Sequence, residues 1–185
     1  MRYTPMRTPV FLLSVTLMTV GFSGCMSGDS GTVGMAVTDA PADDWAKVEV
    51  TFSRGAVHQS GSADPNVTSG WKEIVNTTKA VDLIALHQND TSQALGFAEL
   101  TAGHYQQIRL FVDSVKGTKK ADGMVVTFKV PSGVLKTAKS FEVKAGGNTT
   151  LTLEIDLAKS INCKPGLTDC TFAPKLGQVT ATEKS

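Results

Sequence analysis

Asp39, Asp43 and Asp44 lie within six residues of one another, on either side of Pro41. Carboxylate oxygens this close suit Ca²⁺, which takes about six to eight hard oxygen ligands. Three carboxylates need backbone carbonyls, water or a further acid, such as Asp82 or Asp113, to complete that shell. The same residues also suit a plain turn, with Asp39 bonded to its own backbone, Pro41 fixing the bend, and Asp43 and Asp44 solvated. Arg109 stands in an alternating run, on the face away from Ile108 and Leu110. There it can hold an anionic ligand, or pair with Asp82 or Glu154 across a sheet. Trp45 and Trp71 can stack on sugar rings if exposed near one another, or pack as partly buried residues beside strands. Arg109, Trp45 and Trp71 therefore form the candidate ligand face, and Asp39, Asp43 and Asp44 the candidate Ca²⁺ loop.

Catalytic patterns are thin. Ser69-Gly70-Trp71-Lys72 matches Ser-x-x-Lys, but neither Ser-Asp-Asn nor Lys-Thr-Gly accompanies it, and it opens a strand instead of a helix. His58, His87 and His104 fall in separate segments without metal-ligand spacing. No phosphate-binding loop, dinucleotide fingerprint or nucleophile elbow is present. The residues assign no catalytic group.

Cysteine and the leader bear on location. Arg2 and Arg7 precede an uncharged run, Pro9 to Gly21, too short for the roughly 20 residues of a permanent span. A positive start, an apolar run and small residues before a cut site make an export signal. Phe22-Ser23-Gly24-Cys25 resembles the box of a bacterial lipoprotein signal, with Phe22 in place of the usual Leu. That resemblance implies a lipidated Cys25 after a signal peptide over 1–24, with acyl chains such as palmitate anchoring the protein to the cell envelope. Met26 in place of Asp favours the outer membrane in a Gram-negative cell. Outside the cytoplasm, Cys163 and Cys170 read as a disulfide around the Pro165-Gly166 turn, and no second Cys or His pair completes a metal site.

The chain carries 18 basic and 17 acidic residues, and removing the leader with its two arginines turns the formal charge from +1 to −1. No basic patch or long charge run appears, which argues against nucleic acid as a partner. About 160 mature residues suit one domain.

The elements that must position these residues are strands. Val33, Met35 and Val37 share one face, as do Val48, Val50 and Phe52. Arg54-Gly55 breaks the rhythm and predicts a bulge, with Val57 to Gln59 as the continuation. Further strands are expected at 71–75, 80–86, 106–113, 124–130, 140–143 and 149–157, with a closing strand within 174–181. Asp90-Thr91-Ser92 predicts a cap for a short helix over 93–97. Leu100-Thr101-Ala102-Gly103-His104-Tyr105 resembles the tyrosine corner of β-sandwiches. The fold class is all-β, an antiparallel β-sandwich of Greek-key or prealbumin-like kind with at most one short helix. A Gly/Ser tether over 25–31, one domain over 32–181 and a polar tail over 182–185 complete the expected organisation.

Several pieces in order carry a wider resemblance: Thr38 to Asp43, Val81 to Leu86, Leu100 to Leu110, Val130 to Gly133, and Thr150 to Ile161. Together they resemble the domain-of-unknown-function 4382 family of exported proteins, many of them lipoproteins. The cysteine loop departs from that pattern as an insertion before the last strand. The resemblance implies a β-sandwich at the cell surface and brings no activity with it. The expectation is a non-enzymatic, membrane-anchored binding or structural module for a carbohydrate, surface protein or envelope component. The alternative is a calcium-stabilised adhesion or assembly module.

Overall fold

Period-two alternation sets both layers of the sandwich. The computed structural model describes residues 29–40, 42–60 and 70–184; the leader, Cys25, Pro41 and Ser69 lie outside the described residues. β1 (Ser30–Ala40) buries Val33, Met35 and Val37, and β2 (Trp45–His58) buries Val48, Val50, Phe52 and Val57. After β3 (Lys72–Val75) and β4 (Lys79–Asp82), the chain turns through α1 (Leu83–Gln88) into β5 (Gln93–Thr101). β6 (Gly103–Tyr105) leads into the long β7 (Gln107–Lys119), and β8 (Val125–Thr127), β9 (Val134–Thr137) and β10 (Phe141–Val143) follow. β11 (Asn148–Asp156) inserts Leu151, Leu153 and Ile155 into the core. Then come α2 (Leu157–Ser160), β12 (Ile161–Cys163), β13 (Cys170–Phe172) and β14 (Leu176–Lys184).

One sheet has the order β14-β11-β1-β5 and the other β3-β2-β7-β8, with β4 also on β2 and β9 also on β7. Their inner faces share one apolar core. β2 and β7 are long because each carries two short partners end to end. The expected bulge is present: the β2–β7 register shifts at Thr51/Phe52 and Phe52/Arg54. Gly55 follows it under the other sheet, and a Cβ there would stand 2.6 Å from Met35 Sδ. A side chain at 55 would push the sheets apart.

Four expectations change. β1 and β11 run parallel, in register from Thr32↔Asn148 to Ala40↔Asp156. One apolar face per strand shows that one face is buried and leaves direction open. Residues 93–97 form strand β5 instead of a helix: Gly96 lies so close to β3 that a Cβ would meet the Ile74 carbonyl at 2.9 Å, and Phe97 is exposed. Two short helices form elsewhere, α1 where Leu83 and Ile84 turn inward and α2 after Asp156. Asp156 therefore does not point to solvent; it is buried and accepts the Lys159 N–H at 3.0 Å. The Lys159 ammonium holds its carboxyl below the usual carboxylate range. Finally, β14 runs on to Lys184, so 182–184 are strand and not tail, and β1 begins at Ser30, inside the expected tether. Among the described residues no helix is long and apolar enough to cross a membrane.

The tyrosine corner forms. Tyr105 is buried, stacks on Phe141 with centroids 5.4 Å apart, and donates its hydroxyl to the Thr101 carbonyl at 3.0 Å. Burial pushes its pKa up. Tyr105→Phe is expected to cost about 0.5–1.5 kcal/mol, read from the midpoint of urea denaturation. An unchanged midpoint would mean that the corner does not contribute to stability.

Cys163 and Cys170 stand opposite each other in the β12–β13 hairpin and are joined as a disulfide. Outside the hairpin, Lys129 N–H donates to the Cys170 carbonyl and Phe172 N–H to the Lys129 carbonyl. The hairpin thus ties the end of β11 to the segment that follows β8. Asp169 receives Lys129 at 2.9 Å and Lys164 at 2.7 Å, and these ammonium groups hold its carboxyl down to about 2. A depressed carboxyl stabilises the fold above its unfolded pKa, here 3.8, and loses that contribution as pH falls through about 2. The stability gap between the wild type and Asp169→Asn should therefore close between pH 4 and 2 in an acid titration. A gap that stays constant across that window would exclude the carboxylate as its source.

Candidate functional site

On the six-stranded sheet, the alternation that buries Ile108 and Leu110 turns Arg109 and Phe111 to the outer face. The register places Glu73, Ala56, Arg109 and Lys136 in one row across β3, β2, β7 and β9. Arg54 and Phe111 stand opposite each other in the neighbouring row. Trp71, just before β3, folds over this surface.

Two guanidiniums lie on two rings. The Arg109 guanidinium carbon is 3.7 Å from the Trp71 ring centroid, and that of Arg54 is 4.0 Å from the Phe111 centroid. Arg109 is 5% exposed, so its contact belongs to the desolvated end of the range, about 2 kcal/mol, while the half-exposed Arg54 gains about 0.5–1 kcal/mol. Arg54 Nη1 also approaches Glu73 Oε1 at 3.6 Å, an exposed pair of little energetic weight. The His58 ring tilts against Trp71 with centroids 5.2 Å apart. Ala56, small and central, leaves a shallow pocket of about 60 Å³ lined by Arg54, Ala56, Trp71, Glu73, Arg109 and Phe111. That is room for one or two polar groups of a ligand. The Trp71 indole N–H is buried and has no hydrogen-bond partner among the described residues.

The structure separates the candidate ligand face. Arg109 and Trp71 meet; Trp45 does not join them. It opens β2 at the opposite end of the strand, is buried, and meets Phe128 edge-on at 4.9 Å. Arg109 faces neither Asp82 nor Glu154. Asp82 receives the Val48 N–H, Glu154 lies on the other sheet opposite Thr38, and the cross-strand neighbours of Arg109 are Ala56 and Lys136. Nor is Arg109 an exposed cation: with Trp71 across it, it fixes the indole in place.

Asp39 is buried at the end of β1, whereas Asp43 and Asp44 are exposed in the turn that follows. Among the described residues, no three His, Cys, Asp or Glu side chains gather closely enough to hold a metal ion. Asp113, a suggested helper, accepts the Ser53 hydroxyl at 2.5 Å. His58, His87 and His104 stand apart, at the end of β2, in α1 and in β6. Lys72 of the Ser-x-x-Lys pattern opens a strand. Arg54, Phe111 and Glu73 complete the site without having been singled out in the sequence. Their signal was alternation on adjacent strands, legible only once the bulge before Arg54 is counted.

Residues 30–174 match the domain of unknown function DUF4382. The chain belongs to this family. The DUF4382 match begins at the first residue of β1 and runs past the cysteine hairpin, and β14 follows it. No curated protein matches the chain. Among solved structures, the chain is similar to a "putative cell adhesion protein" from Bacteroides eggerthii DSM 20697, at 12% identity and a TM-score of 0.34. The match covers 84% of this chain and 55% of that one, so the chain spans about half the length of the solved protein.

Proposed function

We propose that this DUF4382 protein is an envelope lipoprotein, anchored through Cys25, whose β-sandwich is a non-enzymatic binding module. The pocket around Arg54, Trp71 and Phe111 recognises an acidic carbohydrate. The observation that carries this reading is the pair of guanidinium-on-ring stacks lining one outward pocket. Aromatic faces receive the apolar side of a sugar ring. A guanidinium fork receives a carboxylate through two parallel hydrogen bonds. Arg54 supplies the accessible fork, the Trp71 indole N–H a further donor, and Arg109 holds the indole from beneath. Glu73, beside Arg54, disfavours anions that do not displace it. The shallow shape suits recognition of a sugar unit within a longer chain.

The reading is tested by titrating uronic-acid oligosaccharides and their neutral counterparts into residues 26–185 by calorimetry. Acidic sugars should bind in preference, and Arg54→Ala should weaken them about tenfold to a hundredfold, the loss of a charge-assisted pair. Equal affinity for neutral sugars, or an Arg54→Ala protein that binds as the wild type does, would overturn it.

A further inference from the structure

We propose that the end of the sandwich where β1 begins rests on an anionic lipid surface, with Lys139, Lys144 and Lys184 against the headgroups. The inference builds on lipidation of Cys25 and adds which surface of the domain the membrane meets. The first strand is clamped where it starts. The Asp29 carbonyl accepts the Ala102 N–H at 2.6 Å, the Ser30 carbonyl accepts the Gly146 N–H at 2.8 Å, and Thr32 N–H donates to the Gly147 carbonyl at 2.9 Å. Four peptide steps from Cys25 to Asp29 reach at most about 14 Å. β1 then climbs roughly 36 Å over its length, at about 3.3 Å per residue. The anchored end therefore stays near the bilayer while the far end stands clear.

Strand directions gather a particular surface at that anchored end. It holds the turn between β5 and β6, the turn between β10 and β11, and the end of β14, where Lys184 stands opposite Asn148. β9 also ends there, just before Lys139. Lys139, Lys144 and Lys184 are all exposed. A groove of about 250 Å³ lined by Lys144, Gly147, Asn148, Thr149, Glu183 and Lys184 opens among them, with amine, amide and hydroxyl donors for a phosphate-bearing headgroup. The acids here are Glu142 and Glu183, and Glu183 is paired with Lys144. The opposite end presents Asp43, Asp44, Asp90 and Asp122, all exposed, and two of its lysines, Lys159 and Lys164, are paired with Asp156 and Asp169. Attraction of a basic side chain to an anionic leaflet dies away within a Debye length of about 8–10 Å, so only the anchored end lies within its range.

The test uses full-length protein purified from membranes, with the lipid on Cys25 verified by intact mass. It is placed in phosphatidylethanolamine–phosphatidylglycerol vesicles, in phosphatidylcholine vesicles, or in neutral detergent, and its lysines are labelled sparingly with an amine-reactive reagent. The local proton excess at an anionic surface should slow labelling of Lys139, Lys144 and Lys184 about threefold in the phosphatidylglycerol vesicles relative to detergent. The effect should shrink in phosphatidylcholine, and Lys120 and Lys175, at the far end, should label alike throughout. Equal slowing at both ends, or slowing confined to Lys120 and Lys175, in verified lipidated protein would overturn the proposed orientation and leave the anchor standing. An intact mass without lipid would overturn the anchor itself, and this inference with it.

Discussion

Replacing Trp45 with alanine lowers the unfolding free energy by about 3–5 kcal/mol, the cost of deleting a large buried aromatic. The indole is 4% exposed. It lies over Gly117 of β7 so closely that a Cβ there would stand 2.4 Å from the ring, and Phe128 meets its edge. Glycine was the only way to admit the ring against the strand, and glycine has no side chain with which to refill the space once the ring is gone. The loss should appear as a lower urea midpoint with an unchanged slope. The pocket at the other end of β2 should keep its ligand affinity. A destabilisation below about 1 kcal/mol would place Trp45 outside the core, because exposed substitutions rarely cost more.

Opening the Cys163–Cys170 bridge comes next in size. Eight residues from cysteine to cysteine close a small loop, worth about 2–3 kcal/mol in the chain-entropy account. The double variant Cys163→Ser/Cys170→Ser should lose that amount relative to the oxidised protein, and reductant should move the oxidised protein to the midpoint of the variant. The damage should be local first. Cys170 and Phe172 are buried, and the Lys129 and Phe172 amides bond across the junction between the hairpin and the segment after β8. Those two amides should exchange faster with solvent than the β1 and β11 amides do. Identical midpoints for oxidised and verified reduced protein would show that the hairpin stands without its bridge.

Much of this architecture was legible because alternation is a local property. Leu151, Leu153 and Ile155 of β11, and Val33, Met35 and Val37 of β1, announce their buried faces residue by residue, and the Arg54-Gly55 interruption announces a bulge. Tyr105 was legible as a corner because its spacing from Thr101 sets the hydroxyl bond. What depends on distant partners was not. Nothing within β1 says that β11 runs parallel to it. Asp156 reads as an outward residue until the chain turns into α2 and Lys159 closes on it. Trp45 and Trp71 both sit beside strands in the sequence. One becomes core because Gly117 and Phe128 arrive beneath it, the other surface because Arg109 does. Arg54 and Phe111 become a pair only when the register of β2 and β7 is known.

The two tryptophans make the central claim directly measurable. The chain has two indole N–H groups, one buried in the core and one beside the pocket. In an ¹⁵N–¹H spectrum of residues 26–185 titrated with a uronic-acid oligosaccharide, the Trp71 indole signal should move in proportion to occupancy while that of Trp45 stays in place. Assignment by Trp45→Phe separates the two. Movement of backbone amides on another face with the Trp71 signal unmoved would contradict the account and send the binding site elsewhere on the sandwich.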